Sequence, residues 1–184
     1  IISAEGIKPD PDKVKAIYIS SPKLVPEVRS FLGMINQFNK FTSHLATISK
    51  PLRDLFSKDC VWYWGDIQEQ ALKKLKQCLV TAPILAIYGP NKETKVNADA
   101  SSYGIGAVLL QKQNINDWKP VSYVSRALTD TETRYSQIEK ECLAFKWACE
   151  RFSDYILGKP IIGDISPLVN QTHARKITTT HTKI

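Results

Sequence analysis

Apolar residues in the first half of the chain recur at helical steps. Behind Pro26, which a first helical turn tolerates, Val28, Phe31, Leu32, Ile35 and Phe38 follow one another at threes and fours and predict one amphipathic helix. Pro9, Pro11, Pro22 and Pro26 break the segment before it into short pieces. Leu45, Ile48, Leu52 and Leu55 predict a second helix from about His44 to Phe56. A third begins at the sequence DIQE, where Asp66 is placed to cap free backbone N–H groups and Glu69 to reach back. Leu72, Leu75 and Leu79 form its stripe, and Pro83 limits it. Trp62, Tyr63 and Trp64 stand between the second and third helices and read as packing or docking residues rather than as stacking partners for bases.

After Gly89-Pro90 the period changes from helix to strand. KVNADAS alternates, AVLLQ follows the Gly104/Gly106 pair, and PVSYVSRAL follows the turn-like NINDW, so three consecutive strands predict an antiparallel meander. A long helix is expected from about Tyr135 to Leu157, with Ile138, Cys142, Phe145, Cys149 and Phe152 as its stripe and Gly158 to Pro160 as its stop. PIIGDI then reads as a fourth strand, returned parallel to the first by the helical crossover. The expected class is α/β (α+β overall): a helical module over 1–90, a mixed sheet with its long crossover helix over 91–168, and a disordered basic tail over 169–184, where no acidic residue and no period occur.

Composition narrows the class without naming a function. The 184 residues are 43% apolar, enough for a sizeable core, and no run approaches the roughly 18 apolar residues of a membrane span. The start lacks the basic-then-apolar order of a secretory leader, so an intracellular protein with no membrane partner is expected. A balance of 25 Lys+Arg against 18 Asp+Glu, net +7, favours a polyanionic partner. Cys60, Cys78, Cys142 and Cys149 form no CxxC pair and read as buried thiols; His44, His173 and His181 are assigned no chemistry.

Two carboxylates stand out by position. Asp99 falls inside a strand, where an acid is costly to bury unless it is paired or binds a cation. On the long helix, Glu139 and Lys140 project away from the stripe, whereas Glu141 falls at its edge and faces the sheet margin. Asp164 ends the fourth strand, which the crossover sets beside the first. Asp99, Glu141 and Asp164 are therefore the candidate catalytic and metal-binding residues. Three hard oxygen donors at one point suit Mg²⁺ or Mn²⁺ and metal-assisted phosphodiester hydrolysis. Competing with this are an Asp that only caps a turn, a Glu that reaches solvent, and glycines in SSYGIGAVL that mark a bulge or bend rather than close approach by a ligand.

With these residues the chain resembles a stretch of gypsy-type long-terminal-repeat retrotransposon polyproteins, from the end of the reverse transcriptase palm through thumb-like helices into the tethered ribonuclease H domain. The motifs that carry the resemblance are GIKPDPDKVKAI, VRSFLGMINQFNKF, ISKPLRDLFSKD, WGDIQEQALKKLKQCLVTAPIL, NADASSYGIGAVLLQ, PVSYVSRALTDTETRYSQIEKECLAFKWACERFSDYILG and GDISPL. The resemblance implies an N-terminal thumb-like module and an incomplete ribonuclease H-like mixed sheet, with acids that bind divalent metal and cut the RNA strand of an RNA–DNA hybrid. It matches Asp99 to the first catalytic Asp, Glu141 to the helix Glu, and Asp164 to the Asp of the family's TDHKPL segment, here GDISPL.

The palm and fingers have no counterpart and no Asp-Asp pair occurs, so no polymerase activity is expected. The family's fourth metal-binding acid also has no match after Leu168. The expected function is that of a retrotransposon-derived fragment that binds hybrid, with RNA hydrolysis weak or absent. The alternative is a non-catalytic nucleic-acid-binding protein or an inactive relic of a retroelement polyprotein.

Overall fold

A computed structural model describes residues 1–17, 21–57, 60–115 and 117–165. The expected tail, with His173 and His181, lies outside the described residues.

The chain opens with a small hairpin that the sequence pattern did not announce: β1 (Ile2–Ser3) pairs antiparallel with β2 (Gly6–Ile7), and Ile7 exchanges backbone hydrogen bonds with Leu85. Gly6 has φ +132°, and a Cβ there would stand 2.2 Å from the Leu85 carbonyl oxygen, so only glycine admits this approach. Helix α1 (Pro11–Ala16) starts from Asp10, whose carboxylate accepts the Asp12 N–H at 3.0 Å. Helix α2 (Val25–Asn36) has Pro26 in its first turn and buries Val28, Phe31, Leu32 and Ile35, as its period predicts.

The helix expected from His44 to Phe56 is broken into α3 (Leu45–Ile48), α4 (Lys50–Arg53) and a 3₁₀ turn, Asp54–Phe56. Pro51 explains the break: it lacks the N–H that would bond back one turn, and its ring crowds that carbonyl. The helix at DIQE forms as α5 (Asp66–Val80), with Ala71, Leu72, Leu75 and Leu79 buried. Its cap differs from expectation. Gly65 is the N-cap, Asp66 is the first helical residue, and Gln68 rather than Glu69 takes the Gly65 N–H, at 3.2 Å. Glu69 instead accepts from Ser21 Oγ at 2.8 Å and from Trp64 Nε1 at 3.0 Å. Trp62 and Trp64 stack, with ring centroids 6.0 Å apart, against the apolar cluster that these helices share, which supports packing as their role.

The sheet is the predicted meander plus a parallel strand. β3 (Thr94–Ala100), β4 (Gly104–Asn114) and β5 (Asp117–Ala127) pair antiparallel in sequence, and β6 (Ile161–Ile165) joins β3 in parallel, giving the order β5-β4-β3-β6. Register shifts lie at Leu109/Leu110 and Lys112/Asn114, away from the glycines. Buried Gln111 holds the turn that precedes the sheet: it donates to the Gly89 carbonyl and to Thr94 Oγ1, and accepts from the Gly89 N–H.

Helix α6 (Gln137–Arg151) begins at a Ser136/Glu139 capping box and crosses the sheet; the chain breaks at Phe152 and adds one further turn, α7 (Ser153–Ile156). Its buried face follows the large residues only in part: Phe152 is buried, and Phe145 and Cys149 pack against the cluster beneath, but the first turns differ. Ile138 is 58% exposed and Cys142 is exposed, whereas Lys140, Glu141, Ala144 and Ala148 are buried. The small alanines let the helix backbone approach β3 and β4, and that close approach outweighs the burial of larger side chains one position away. Phe145 lies on Gly163 of β6, where a Cβ would stand 2.6 Å from its ring. The thiols depart from expectation in the same way: Cys60 and Cys142 are exposed, and Cys78 and Cys149 are half-buried. Burial raises the latter two above the ordinary thiol range. No described helix is long and apolar enough to cross a membrane.

Where β5 turns toward α6, Arg126 donates to both carboxylate oxygens of Glu132, at 2.7 and 2.8 Å, and the Thr129 N–H adds a bond at 2.8 Å. These bonds, led by the Arg126 guanidinium, lower the Glu132 pKa to about 2. A depressed acid stabilises the fold fully above its unfolded pKa, about 4.3, and this contribution is lost as pH falls through about 2. Glu132→Gln is therefore expected to lower stability at pH 7 and to flatten its decline between pH 5 and 2. Urea titrations of both proteins across that range measure the difference; parallel curves refute it.

Candidate functional site at the end of the central strands

Alternation along β3 divides its residues between two faces. Val96, Ala98 and Ala100 turn to α6 and form one cluster with Ile105, Ala107 and Leu109 of β4. Lys95, Asn97 and Asp99 turn the other way, toward the helical half of the chain. Asp99 is thus neither buried nor fully solvated: its side chain is 50% exposed, and its Oδ2 lies 4.0 Å from His44 Nε2.

That second face is covered by the start of α3. The Ala46 N–H donates to Ser125 Oγ at 3.1 Å, Asn39 Nδ2 donates to the Ser125 carbonyl at 3.4 Å, and Thr47 Oγ1 lies 2.9 Å from Ser101 Oγ. Gly104 is what allows this docking. A Cβ there would stand 3.0 Å from the Arg126 carbonyl, 3.1 Å from Thr47 Oγ1 and 3.3 Å from Ala46 Cβ. The first glycine of the YGIG run therefore serves close approach, but by a helix of the same chain.

Glu141 reaches the site from the opposite side. It is 1% exposed, at the centre of the buried face of α6 and not at its edge, because Ala144 and Ala148 set that face. Gln137 Nε2 donates both to the Ala100 carbonyl, at 2.9 Å, and to Glu141 Oε1, at 3.1 Å, which places Glu141 at the C-terminal end of β3, one residue past Asp99. Its Oε2 is buried and has no hydrogen-bond partner among the described residues. A buried carboxylate oxygen left without a donor costs stability.

Asp164 is on the Asp99 face but lies short of it. The parallel register sets it opposite Asn97, two residues or about 6–7 Å before Asp99, and Lys95 Nζ holds its carboxylate at 2.7 Å. Among the described residues no three His, Cys, Asp or Glu side chains are grouped to hold a metal ion. The structure thus sets Asp99 and Glu141 near one end of β3 but on opposite faces of the strand, and leaves Asp164 paired with lysine. In donor chemistry the first two suit a hard divalent cation: they supply carboxylate oxygens, one of them without any other partner.

His44 escaped the sequence reading. It is distant in sequence from Asp99, and no local motif distinguishes it. Its one unusual feature, φ +55° in a residue that is not glycine, exists only in the folded chain.

Because Glu141 Oε2 lacks a donor, Glu141→Met is expected to stabilise the protein by about 1–2 kcal/mol, replacing a desolvated carboxylate with an apolar chain of similar length. Denaturant unfolding of the two proteins measures this; a loss of stability would show that the carboxylate is satisfied by a group such as bound water.

The family described as the RNase H-like domain found in reverse transcriptase matches residues 64–162, so it takes in α5 as well as the sheet and α6. Over 172 residues, 91% of the chain, the sequence is 38% identical to the retrovirus-related Pol polyprotein from transposon 297 of Drosophila melanogaster. Over 156 residues, 84% of the chain, it is 34% identical to the transposon Tf2-3 polyprotein of Schizosaccharomyces pombe. The chain spans only 16% and 12% of the lengths of these curated relatives. Among solved structures, the foamy viral protease-reverse transcriptase in complex with RNA/DNA hybrid matches 88% of the chain and 22% of its own, with TM-score 0.74 and 25% identity. A complex of the foamy viral enzyme with dsDNA matches 94% and 37%, with TM-score 0.69 and 24% identity. Helices followed by a β5-β4-β3-β6 mixed sheet under one crossover helix, the match over 64–162 and the transposon relatives together establish that the chain belongs to the RNase H-like domains found in reverse transcriptases, of the kind carried by gypsy-type retrotransposon Pol polyproteins.

Proposed function

We propose that this chain grips an RNA–DNA hybrid and cleaves its RNA strand slowly, with Asp99 and Glu141 as the catalytic carboxylates and Mg²⁺ or Mn²⁺ as the required cation. The observation that carries this reading is the buried, donor-free Oε2 of Glu141 at the end of the strand that presents Asp99. A divalent cation there would supply charge neutralisation at a phosphate and lower the pKa of an attacking water. The residues themselves hold the geometry: Gln137 ties Glu141 to the end of β3, and Asp99 keeps a half-exposed carboxylate toward solvent.

Slow turnover follows from Asp164. Its carboxylate is engaged by Lys95, so only two of the three candidate acids are free for a cation. Losing one preorganised electrostatic element typically costs about a hundredfold to a thousandfold in rate. Grip on the hybrid is supported by the +7 charge and by the nucleic acid complexes of the foamy viral enzyme, and it is read as phosphate and sugar contact rather than base recognition.

Two measurements test the proposal. Incubation of the purified chain with labelled RNA–DNA hybrid and Mg²⁺ or Mn²⁺ is expected to give slow cleavage that Asp99→Asn or Glu141→Gln abolishes; cleavage unaffected by both substitutions would place the chemistry elsewhere. Hybrid affinity is expected to fall about 10³-fold between 50 and 200 mM salt if roughly six phosphates are contacted. Affinity indifferent to salt would remove the phosphate-gripping reading.

A further inference from the structure

At the other end of the central strands, about 16–17 Å along β3 from Asp99, a cavity of about 450 Å³ opens where β3 and β6 begin. Its walls are two short segments, residues 90–94 leading into β3 and residues 159–162 leading into β6. Both walls are held from behind. Buried Gln111 fastens Gly89 and Thr94, Thr94 Oγ1 donates to the Lys92 carbonyl at 3.0 Å, and the Lys92 N–H donates to the Gly89 carbonyl at 3.1 Å. On the other wall, Lys159 Nζ donates to the Tyr88 hydroxyl and lies 4.9 Å from the centre of its ring. Tyr88 in turn donates to the Tyr155 carbonyl and leads directly into the turn at Gly89. It thus ties the two walls together, and the cavity exists before any ligand arrives.

Its positive charge is uncompensated. Lys159 bonds the Tyr88 hydroxyl and Lys92 the side-chain oxygen of Gln113, both neutral, and neither lysine has a carboxylate partner among the described residues. Glu93, on the first wall, is engaged by Lys112 at 3.0 Å. An ammonium carries three N–H groups, so two remain on each lysine. Pro90, Pro160, Ile161 and Ile162 supply an apolar lining. A volume of a few hundred Å³, an apolar lining and a few charged groups are the ordinary features of a small-molecule site.

We infer that this cavity binds a phosphate monoester that carries a planar ring, as a nucleotide does, with the phosphate held by Lys92 and Lys159 and the ring against Pro160 and Ile162. Charge decides for phosphate over carboxylate: a monoester carries about −1.5 to −2 at pH 7, which matches two ammoniums that have no other counter-charge. Lysine meets phosphate as a point charge on a flexible stem, so exposed Lys92 turns onto the group without any backbone movement. A free nucleotide and the phosphorylated 5′ end of a short strand share this chemistry. None of these residues belongs to the catalytic end proposed above, so binding here stands whether or not hybrid is cut.

The test uses the full chain and 1-naphthyl phosphate, followed by fluorescence anisotropy at low salt. One molecule is expected to bind per chain. 1-Naphthol, which lacks the phosphate, and inorganic phosphate, which lacks the ring, should each bind at least about tenfold more weakly. Lys92→Met and Lys159→Met are each expected to weaken the probe by about tenfold, while Lys74→Met, at an exposed position of α5, leaves it within about twofold. Naphthol bound as tightly as its phosphate, a loss in Lys74→Met equal to that in Lys92→Met, or no saturable binding each overturns the inference. Displacement of the probe needs no variant, so a Lys159→Met chain that fails to fold does not blunt the test. Displacement by adenosine 5′-monophosphate or by a 5′-phosphorylated RNA trinucleotide supports the site and tells a free molecule from a strand end; displacement by neither refutes it.

Discussion

The central strand β3 must satisfy two neighbours at once, and most of the structure follows from that constraint. One of its faces is small and apolar, Val96, Ala98 and Ala100, so that α6 can lie close upon it through Ala144 and Ala148. Its other face is polar, Lys95, Asn97 and Asp99, and looks toward the helical half. A strand carries these two surfaces without conflict because its side chains alternate with a period of two. The parallel pairing of β6, as far as Ala98, and the antiparallel pairing of β4, through Ala100, then hold β3 from its two edges.

Close helix packing has a chemical consequence. Once the alanines set the depth of α6, Glu141 is carried under the helix instead of beside it, and Gln137 spans the remaining gap to Ala100. One carboxylate oxygen accepts from Gln137, but the other is desolvated with no partner among the described residues, a condition that a cation or a polar substrate would relieve.

The helical half does more than precede the sheet. Its own apolar cluster, built from Val28, Phe31, Ile35, Leu52, Leu72 and Leu75 among others, supports the segment that carries His44, Ala46 and Thr47 onto β4 and β5. Gly104 is small because that segment is there. The polar face of β3 is consequently a junction between two packed units, and the environment of Asp99 is decided by both.

Hydrophobic period and breakers by themselves determined the order of elements. The stripes of α2 and α5, the change of period after Pro90, the three-strand meander and the parallel return of PIIGDI all depend on local spacing, which survives translation into structure. Asp99 was legible as an acid inside an alternating strand and Glu141 as an acid beside a helical stripe, and motif resemblance pointed to both. Local pattern did not reveal which face of the first turns of α6 would be buried, since Ile138 outweighs Ala144 in any hydropathy reading and only the packing distance to the sheet reverses that order. Nor did it reveal the break at Pro51 in full, the capture of Asp164 by Lys95, or the meeting of His44 with Asp99. Those are decided by register and by contacts between residues far apart in the chain, which have no signature until the tertiary structure brings them together.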